Sequence, residues 1–214
     1  GKAYSEEFLC IFDHAYLLHD FLPSPIQTPV WELATQLDAK DQVAVFCSFS
    51  KVTFGGGGLA FATAGKKLFD LLSRQRASMI VCPDKVNQMR HLEFLKDKAG
   101  VLEHMEKHAE IVRPKFEVAF KALDVLSPEI GSYQKPTGGY FISYDAKRPI
   151  AKRVIELCKE VGVLITPAGS TYPHFHDPLD SNIRLAPTFL GVEDLEDAME
   201  VFVTAIMIAH QELD

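Results

Sequence analysis

The segment QVAVFCSFS at residues 42–50 restricts the fold more than any other feature of the chain. It is almost continuously apolar and lacks the alternation that a strand exposed on one face shows. Such a run is typical of a parallel strand covered on both faces, the strand type of α/β proteins. Directly after it come Lys51 and then four glycines at 55–58. A lysine there is either a solvated charge or a residue placed for chemistry, and the rest of the sequence has to decide between the two.

The order of the remaining segments also indicates an α/β fold. The other predicted strands are FLCIFDHAY (8–16), GLAFATA (58–64), GGYFISYDA (138–146), VLITPAG (163–169) and SNIRLAPTF (181–189). The predicted helices are 29–39, 65–78, most of 83–126, 149–162 and 191–214, with Pro114 starting or kinking a segment of the third. A proline-punctuated loop is predicted at 21–29, and the long helical stretch near 98–114 is the predicted domain boundary.

Charge, hydropathy and cysteine usage exclude several classes of protein. The net charge is −7 without a dense basic stripe, which argues against nucleic acid as the main partner. No apolar run approaches the ~20 residues that a membrane-spanning helix needs, so no membrane association is expected. The four cysteines are far apart and form no C-x-x-C pair. We therefore expect reduced, buried thiols and a cytoplasmic location.

Polar side chains stand at the ends of several predicted strands, where ligands bind in open α/β sheets. Asp13 and Tyr16 follow the first strand, Ser48 and Lys51 follow the second, and Arg184 lies within the last. A carboxylate, a phenol, a lysine and an arginine at such positions form an unusual set, and this favours chemistry over solvation.

Each of these residues also has an ordinary structural interpretation. Asp13 could be a helix cap or a turn residue, Tyr16 a half-buried aromatic, and Ser48 a partner for backbone groups at a strand end. The glycines could form a flexible loop. Arg184 could pair with Asp177 or Asp180. The residues alone leave these alternatives open.

Five motifs in order resemble those of the fold-type I aminotransferases, which depend on pyridoxal 5′-phosphate. They are FDHAY, SFSK followed by the glycine-rich turn, KPTGGYFIS, TPAGSTYP and NIRLAPTF. The longer phrases SKVTFGGGGLAF and PDKVNQMRHLEFLKD look closest to a divergent bacterial subgroup of aspartate-aminotransferase-like enzymes. The resemblance implies that residues 1–98 are the second half of the large cofactor-binding domain, whose sheet is mostly parallel. It also implies that residues 99–214 are the small C-terminal α/β domain.

The resemblance further implies a role for each strand-end residue. Lys51 would form the Schiff base with the cofactor aldehyde and then transfer the substrate Cα proton. Asp13 would keep the pyridine nitrogen protonated, and Tyr16 would hydrogen-bond the 3′-oxygen. Ser48 and Ser50 would bind the phosphate together with backbone N–H groups. The planar fork of Arg184 would hold the substrate carboxylate, with aspartate and 2-oxoglutarate as the favoured pair.

Two departures from the family pattern stand out. Many relatives carry a phosphate-binding arginine eight residues after the lysine, where this chain has Leu59. Five cations could compensate, and the spacing does not select among them: Lys66, Lys67, Arg74, Arg76 and Arg90. Relatives are also about twice as long, and the resemblance places this chain in their second half. We therefore expect a missing N-terminal half or companion chain, and a homodimer of the complete protein.

Two rival interpretations remain. One is a metal site, because His104 and His108 have i,i+4 spacing and the PHFHD loop offers two more histidines with Asp177. The order of residues around His104 is not that of H-E-x-x-H zinc proteases, and no metal is expected. The other rival is a fragment that keeps the fold and its interfaces but has no independent catalysis.

Overall fold

The computed structural model describes residues 8–22 and 29–214, and most of the predicted loop at 21–29 lies outside them. The chain divides into two compact units, Gly1–Lys107 and His108–Asp214. The division falls inside one long helix, and the domain boundary between residues 98 and 99 stays a prediction.

The first unit contains three strands and three complete helices within the described residues. Its elements are β1 (Cys10–Asp13), α1 (Val30–Gln36), β2 (Val43–Ser48), β3 (Ala60–Ala64), α2 (Lys66–Met79) and α3 (Lys85–Leu95), followed by the start of α4 (Lys98–Leu123). A 3₁₀ turn, Lys40–Gln42, precedes β2. The α3 helix begins where the carboxylate of Asp84 accepts the N–H of Asn87 at 3.0 Å, a standard N-cap.

The three strands form one sheet in the order β1-β2-β3. β1 and β2 are parallel, with Cys10 opposite Val43 and Asp13 opposite Phe46, as the apolar pattern predicted. Their carboxyl ends therefore meet at the same edge of the sheet. β3 runs antiparallel to β2, and the glycine segment forms part of the connection between them.

The second unit is a three-stranded sheet packed with helices. It contains the rest of α4, then β4 (Gly131–Tyr133), β5 (Ile142–Ala146), α5 (Ala151–Glu160), β6 (Asn182–Leu185) and α6 (Val192–Gln211). The strand order is β4-β5-β6 and both pairs are antiparallel. β5 alternates strictly between buried and exposed residues, so only one face of the sheet enters the core. Fully buried side chains of this core include Phe116, Tyr144, Val154, Ile183, Phe202 and Ile206.

Two details of the sequence prediction need correction. The predicted strand at 163–169 is wrong, because these residues form no strand in the structure. The N–H of Val163 instead bonds the carbonyl of Cys158 at 2.9 Å at the end of α5, and Pro167 has no N–H to offer. Pro114 starts no new segment, since α4 continues through it, and the alternative that it kinks the helix stays a prediction.

Helices long and apolar enough to cross a membrane are absent from residues 8–22 and 29–214.

Candidate functional site

Asp13 and Tyr16 lie where β1 ends, as the sequence predicted. Asp13 is the last residue of the strand, and its Oδ1 accepts the N–H of Ala15 at 3.0 Å. The interpretation of Asp13 as a turn residue therefore holds as well. This hydrogen bond fixes the carboxylate at the strand end, and Tyr16 lies in the turn that follows, residues 15–18.

Lys51 lies in the turn that follows β2, and we call residues 49–53 the Lys51 turn. The N–H groups of Val52 and Thr53 both bond the carbonyl of Phe49, at 3.0 and 2.9 Å. The side chain of Lys51 is exposed, and its Nζ lies 5.2 Å from the centroid of the Tyr16 ring. Two predicted site residues from separate strands are thus neighbours, in a cation–π contact. The parallel pairing of β1 and β2 is the reason.

Ser48 and Ser50 place two hydroxyl groups side by side between β2 and Lys51. Ser48 Oγ donates to Ser50 Oγ at 2.9 Å and accepts the Ser50 N–H at 3.0 Å. The hydroxyl proton of Ser48 is thus used within the pair, whereas the hydroxyl proton of Ser50 can be donated to a ligand.

Gly58 lets the glycine segment approach this pair closely. A Cβ on Gly58 would overlap the Cα, N and Oγ atoms of Ser50, which no real side chain tolerates. Gly56 has a φ of +80°, in the region that favours glycine. At this edge the lysine, phenol and hydroxyl groups are donors that suit an anionic aldehyde, and the carboxylate is an acceptor that suits a protonated ring nitrogen; pyridoxal 5′-phosphate has all of these groups. Gly58 is therefore required by the close approach to Ser50 and Gly56 is favoured by its positive φ, whereas a Cβ on Gly55 would meet nothing within 4 Å.

The position of the absent phosphate-binding arginine is apolar and structural. Leu59 is half-buried, and its carbonyl accepts the N–H of Phe49 at 2.7 Å. Among the cations considered as substitutes, Lys66 forms an ion pair with Asp70 at 2.7 Å on α2. The remaining four lie on α2 or α3: Lys67, Arg74, Arg76 and Arg90. Within the described residues, none of these five cations is selected by a hydrogen bond or an ion pair to the Lys51 turn.

Arg184 lies in the second unit, on β6 and opposite Ser143 of β5. Its guanidinium carbon is 4.8 Å from the centroid of the Phe141 ring. Among the described residues it forms no ion pair, so the expected alternative partners Asp177 and Asp180 do not neutralise it. A guanidinium backed by an aromatic face and without a carboxylate partner suits the binding of a ligand carboxylate.

Asp177 fails to pair with Arg184 because its carboxylate is occupied by the backbone. The side chain is 7% exposed. Oδ1 accepts the N–H of Leu179 at 2.9 Å, and Oδ2 accepts those of Ser181 and Asn182, both at 2.8 Å. Burial raises the pKa of Asp177, but these N–H donors outweigh burial and hold the pKa below its ordinary value. The carboxylate therefore fixes the chain just before β6.

Two histidines that the sequence analysis did not assign to the site contact the Lys51 turn. His19 Nε2 lies 3.1 Å from the carbonyl oxygen of Lys51. His104 Nε2 lies 2.6 Å from that of Val52. Burial lowers the pKa of His19 below its ordinary value, and this outweighs the hydrogen bonds to backbone groups, which raise it.

A third histidine, His91, contacts the same turn through a side chain. Its Nε2 lies 2.9 Å from Thr53 Oγ1, and its Nδ1 lies 2.9 Å from the carbonyl oxygen of Asn87. Thr53 Oγ1 is also 3.0 Å from the carbonyl oxygen of Phe49, so the hydroxyl is shared between two neighbours. Only the i,i+4 spacing of His104 and His108 drew attention to any of these rings, and it pointed to a metal.

Within the described residues, no three His, Cys, Asp or Glu side chains come close enough to hold a metal ion. His104 is engaged with the Val52 carbonyl, and Asp177 with backbone N–H groups. The four cysteines are free thiols. Only Cys158 is buried, however, so the expectation of buried thiols holds for that residue alone.

Comparisons with known proteins agree with the motifs. The sequence profile of the family described as "Aspartate amino-transferase" matches residues 2–213. An aspartate aminotransferase from Corynebacterium glutamicum is 36% identical over 211 residues, which are 96% of this chain and 48% of that protein. The chain spans about half the length of the curated relatives it matches.

Solved structures show the same likeness in three dimensions. The crystal structure of an aspartate transaminase from Corynebacterium glutamicum has a TM-score of 0.91 and 34% identity, covering 97% of this chain and 50% of that one. An α-aminoadipate aminotransferase from Thermus thermophilus, complexed with N-(5′-phosphopyridoxyl)-L-leucine, has a TM-score of 0.78 and 24% identity. The match covers 95% of this chain and 51% of the Thermus thermophilus chain.

Proposed function

Because the chain belongs to the aspartate aminotransferase family, we propose that it carries the cofactor-binding lysine, Lys51, of a transaminase. The observation that carries the proposal is the position of Lys51 Nζ, 5.2 Å from the Tyr16 ring centroid, at the edge where two parallel strands end. Ligands of open α/β sheets bind at that edge.

The cofactor of this family is pyridoxal 5′-phosphate. When bound, it supplies an electron-withdrawing ring that stabilises negative charge at the Cα of the amino acid. In our proposal Lys51 Nζ would hold the cofactor at its aldehyde carbon until the amino group of the substrate displaces it, and the freed amine would then remove the proton from the substrate Cα. Asp13 holds a proton on the ring nitrogen, and Tyr16 donates a hydrogen bond to the 3′-oxygen. The hydroxyl of Ser50 donates a hydrogen bond to the phosphate, and the hydrogen bond from Ser48 orients Ser50.

We propose aspartate as the amino donor and 2-oxoglutarate as the acceptor. Arg184 supports a carboxylate-bearing substrate, because its guanidinium has no carboxylate partner among the described residues. The name of the relative from Corynebacterium glutamicum favours aspartate over other amino acids. A second cation for the distal carboxylate of a dicarboxylic acid is not identified within the described part of this chain.

The complete enzyme requires more than this chain in our proposal. The match to only half of each relative supports a complementing N-terminal half, and we expect a cytoplasmic homodimer of the complete protein. Exposed apolar side chains in the first unit support a missing partner surface: Ile11 is 65% exposed and Phe69 is 50% exposed. The alternative is a fragment that keeps the fold and interfaces but has no catalysis of its own.

Covalent trapping tests the role of Lys51. The purified chain is incubated with pyridoxal phosphate, reduced with borohydride and mapped by peptide mass spectrometry. The expected result is an adduct concentrated on Lys51, which the Lys51→Arg variant abolishes because a guanidinium does not condense with the aldehyde. Lys159→Arg, at an exposed lysine of α5, is the matched control and should leave the adduct unchanged.

The distribution of the adduct decides between the alternatives. An adduct spread over many surface lysines, even when an N-terminal half from a relative is added, would refute the role of Lys51. An adduct that forms on Lys51 only after the addition would favour the fragment alternative.

A further inference from the structure

We propose that His19, His91 and His104 are positioning residues that fix the Lys51 turn, so that the amine of Lys51 is held over Tyr16. The proposal rests on the role of Lys51 proposed above. Its basis is that three imidazoles from three different parts of the chain contact three consecutive residues of one short turn. We call these three side chains the imidazole clamp.

The direction of two of these hydrogen bonds follows from elementary chemistry. A backbone carbonyl can only accept, so His19 and His104 must each carry the proton on Nε2 and donate it to the turn. The lowered pKa of His19 is consistent with a neutral ring that has its proton on this nitrogen. Each of the two donors therefore satisfies one carbonyl, that of Lys51 or that of Val52.

The third member of the clamp is oriented by its other nitrogen. The carbonyl of Asn87 lies 2.9 Å from His91 Nδ1 and must accept from it, which leaves Nε2 facing the hydroxyl of Thr53. The side-chain amide of Asn87 donates to the carbonyl of Gly57 at 2.7 Å. One turn of α3 therefore holds both the Lys51 turn and the glycine segment.

The rings are held in place by packing as well as by hydrogen bonds. His19 and His91 are 2% and 3% exposed. The ring of His91 is stacked on Phe49 at 6.3 Å between centroids and packs against Phe54 at 5.3 Å. The ring of His104 meets the edge of Phe94 at 5.2 Å. Because each ring is held by its own packing, its hydrogen bond fixes the Lys51 turn relative to the helix or segment that carries the ring.

The clamp supplies what the turn lacks by itself. The hydrogen bonds to the Phe49 carbonyl close the turn, and the Phe49 N–H attaches its first residue to the Leu59 carbonyl at 2.7 Å, but these bonds do not attach residues 51–53 to the segment after β1, to α3 or to α4. His19 attaches it to the segment after β1 that carries Tyr16, and the other two rings attach it to α3 and α4. Fixing the Cα of Lys51 limits the region that its flexible side chain can reach, and the ring of Tyr16, 5.2 Å from Nζ, favours the rotamers that bring the amine over it.

Paired substitutions at two clamp residues separate hydrogen bonding from simple packing. The His19→Gln and His104→Gln variants keep an N–H donor at a similar distance from the backbone, whereas His19→Leu and His104→Leu keep bulk and lose the donor. His176→Leu, at an exposed histidine of the second unit, is the matched control. The main readout is the amount of reduced pyridoxal-phosphate adduct on Lys51 relative to that on Lys159.

The expected result is a fall of about fivefold in this ratio for each Leu variant, the effect of losing one hydrogen bond. The Gln variants and the control should stay within about twofold of the unchanged chain. The clamp is refuted if the Leu variants keep the ratio, or if the Gln variants lose as much as the Leu variants do. Circular dichroism of every variant identifies those that fail to fold. If a Leu variant does not fold, the matching Gln variant still tests the clamp, because it keeps the N–H donor and should therefore keep the adduct ratio.

A second readout keeps the clamp separate from the proposed function. If the unchanged chain forms no preferential adduct on Lys51, the proposed role of the lysine fails, and amide hydrogen exchange of the Lys51 turn then decides the clamp. Faster exchange in the Leu variants than in the Gln variants supports the clamp. Equal exchange in both overturns it.

Discussion

Replacing Asp177 by alanine should destabilise the second unit and disturb the strand that carries Arg184. The carboxylate accepts three backbone N–H groups at 2.8–2.9 Å. Hydrogen bonds to a charged group contribute ~1.5–3 kcal/mol each where water cannot replace them. Water can reach the exposed Leu179, whereas Asn182 is 8% exposed, so only part of this sum is lost.

We expect the alanine variant to lose about 2–4 kcal/mol of unfolding free energy, measured by urea unfolding and circular dichroism. Asp177→Asn is the matched variant, because one amide oxygen can take the place of Oδ2 and keep the bonds to Ser181 and Asn182. It should lose about 1–2 kcal/mol. Equal losses in both variants would show that the acceptor geometry is not what stabilises this loop.

The dependence on pH provides an independent check of the same reasoning. The pKa of Asp177 is lowered in the folded chain, so its stabilisation is complete above the ordinary pKa of an aspartate and disappears as the pH falls through the folded value. The difference between the native chain and the alanine variant should stay constant near neutral pH and shrink below about pH 4. A difference that grows on acidification would refute the argument.

Two further predictions concern Gly58, beside the Lys51 turn, and Arg184, the proposed carboxylate-binding residue. Gly58→Ala should lower the unfolding free energy by about 1–3 kcal/mol and reduce the Lys51 adduct, because the new Cβ would overlap the backbone of Ser50. Gly55→Ala is the control, since a Cβ there would meet nothing within 4 Å, and it should change neither the unfolding free energy nor the adduct. Arg184→Lys should raise the KM for the amino acid about 10- to 100-fold in the assembled enzyme, with a smaller change in kcat. An unchanged KM would remove Arg184 from the substrate site.

The sequence predicted that Asp13, Tyr16 and Lys51 follow strand ends because the apolar pattern of each strand can be read from its own segment. A continuous apolar run indicates a parallel strand, and parallel strands end at a common edge, so Asp13, Tyr16 and Lys51 were expected together. The structure confirms the parallel pair and brings Lys51 to Tyr16. The chemical roles of these residues stay predictions.

The clamp could not be predicted from sequence because it depends on contacts between distant segments. A buried histidine on a helix has the same local pattern whether it fills a core or bonds a particular carbonyl. His19, His91 and His104 share no spacing that would group them. Only the fold shows that their nitrogens meet consecutive residues of one turn.

The errors in secondary structure have equally definite causes. Residues 163–169 have the composition of a strand, but a strand also needs a neighbour with free N–H and C=O groups, and the first N–H here is used by the end of α5. Pro114 has an unfavourable helix propensity, yet it is exposed, so water can bond the carbonyl that a proline leaves without a partner. Residue propensities describe which secondary structure a segment favours by itself, whereas its contacts with the rest of the fold decide which one it forms.

The two units differ in how much apolar surface they bury, and this bears on every assay of the isolated chain. The α6 helix of the second unit buries seven residues, including Leu195, Phe202 and Ile206. The α2 helix of the first unit buries none, and four of the five residues of β3 are exposed. The second unit therefore has a core sufficient to hold Arg184 in place, while the first unit presents apolar surface that another segment would have to cover. A preferential Lys51 adduct in the isolated chain, lost in the His19→Leu and His104→Leu variants, would show that the imidazole clamp orders the lysine without that cover.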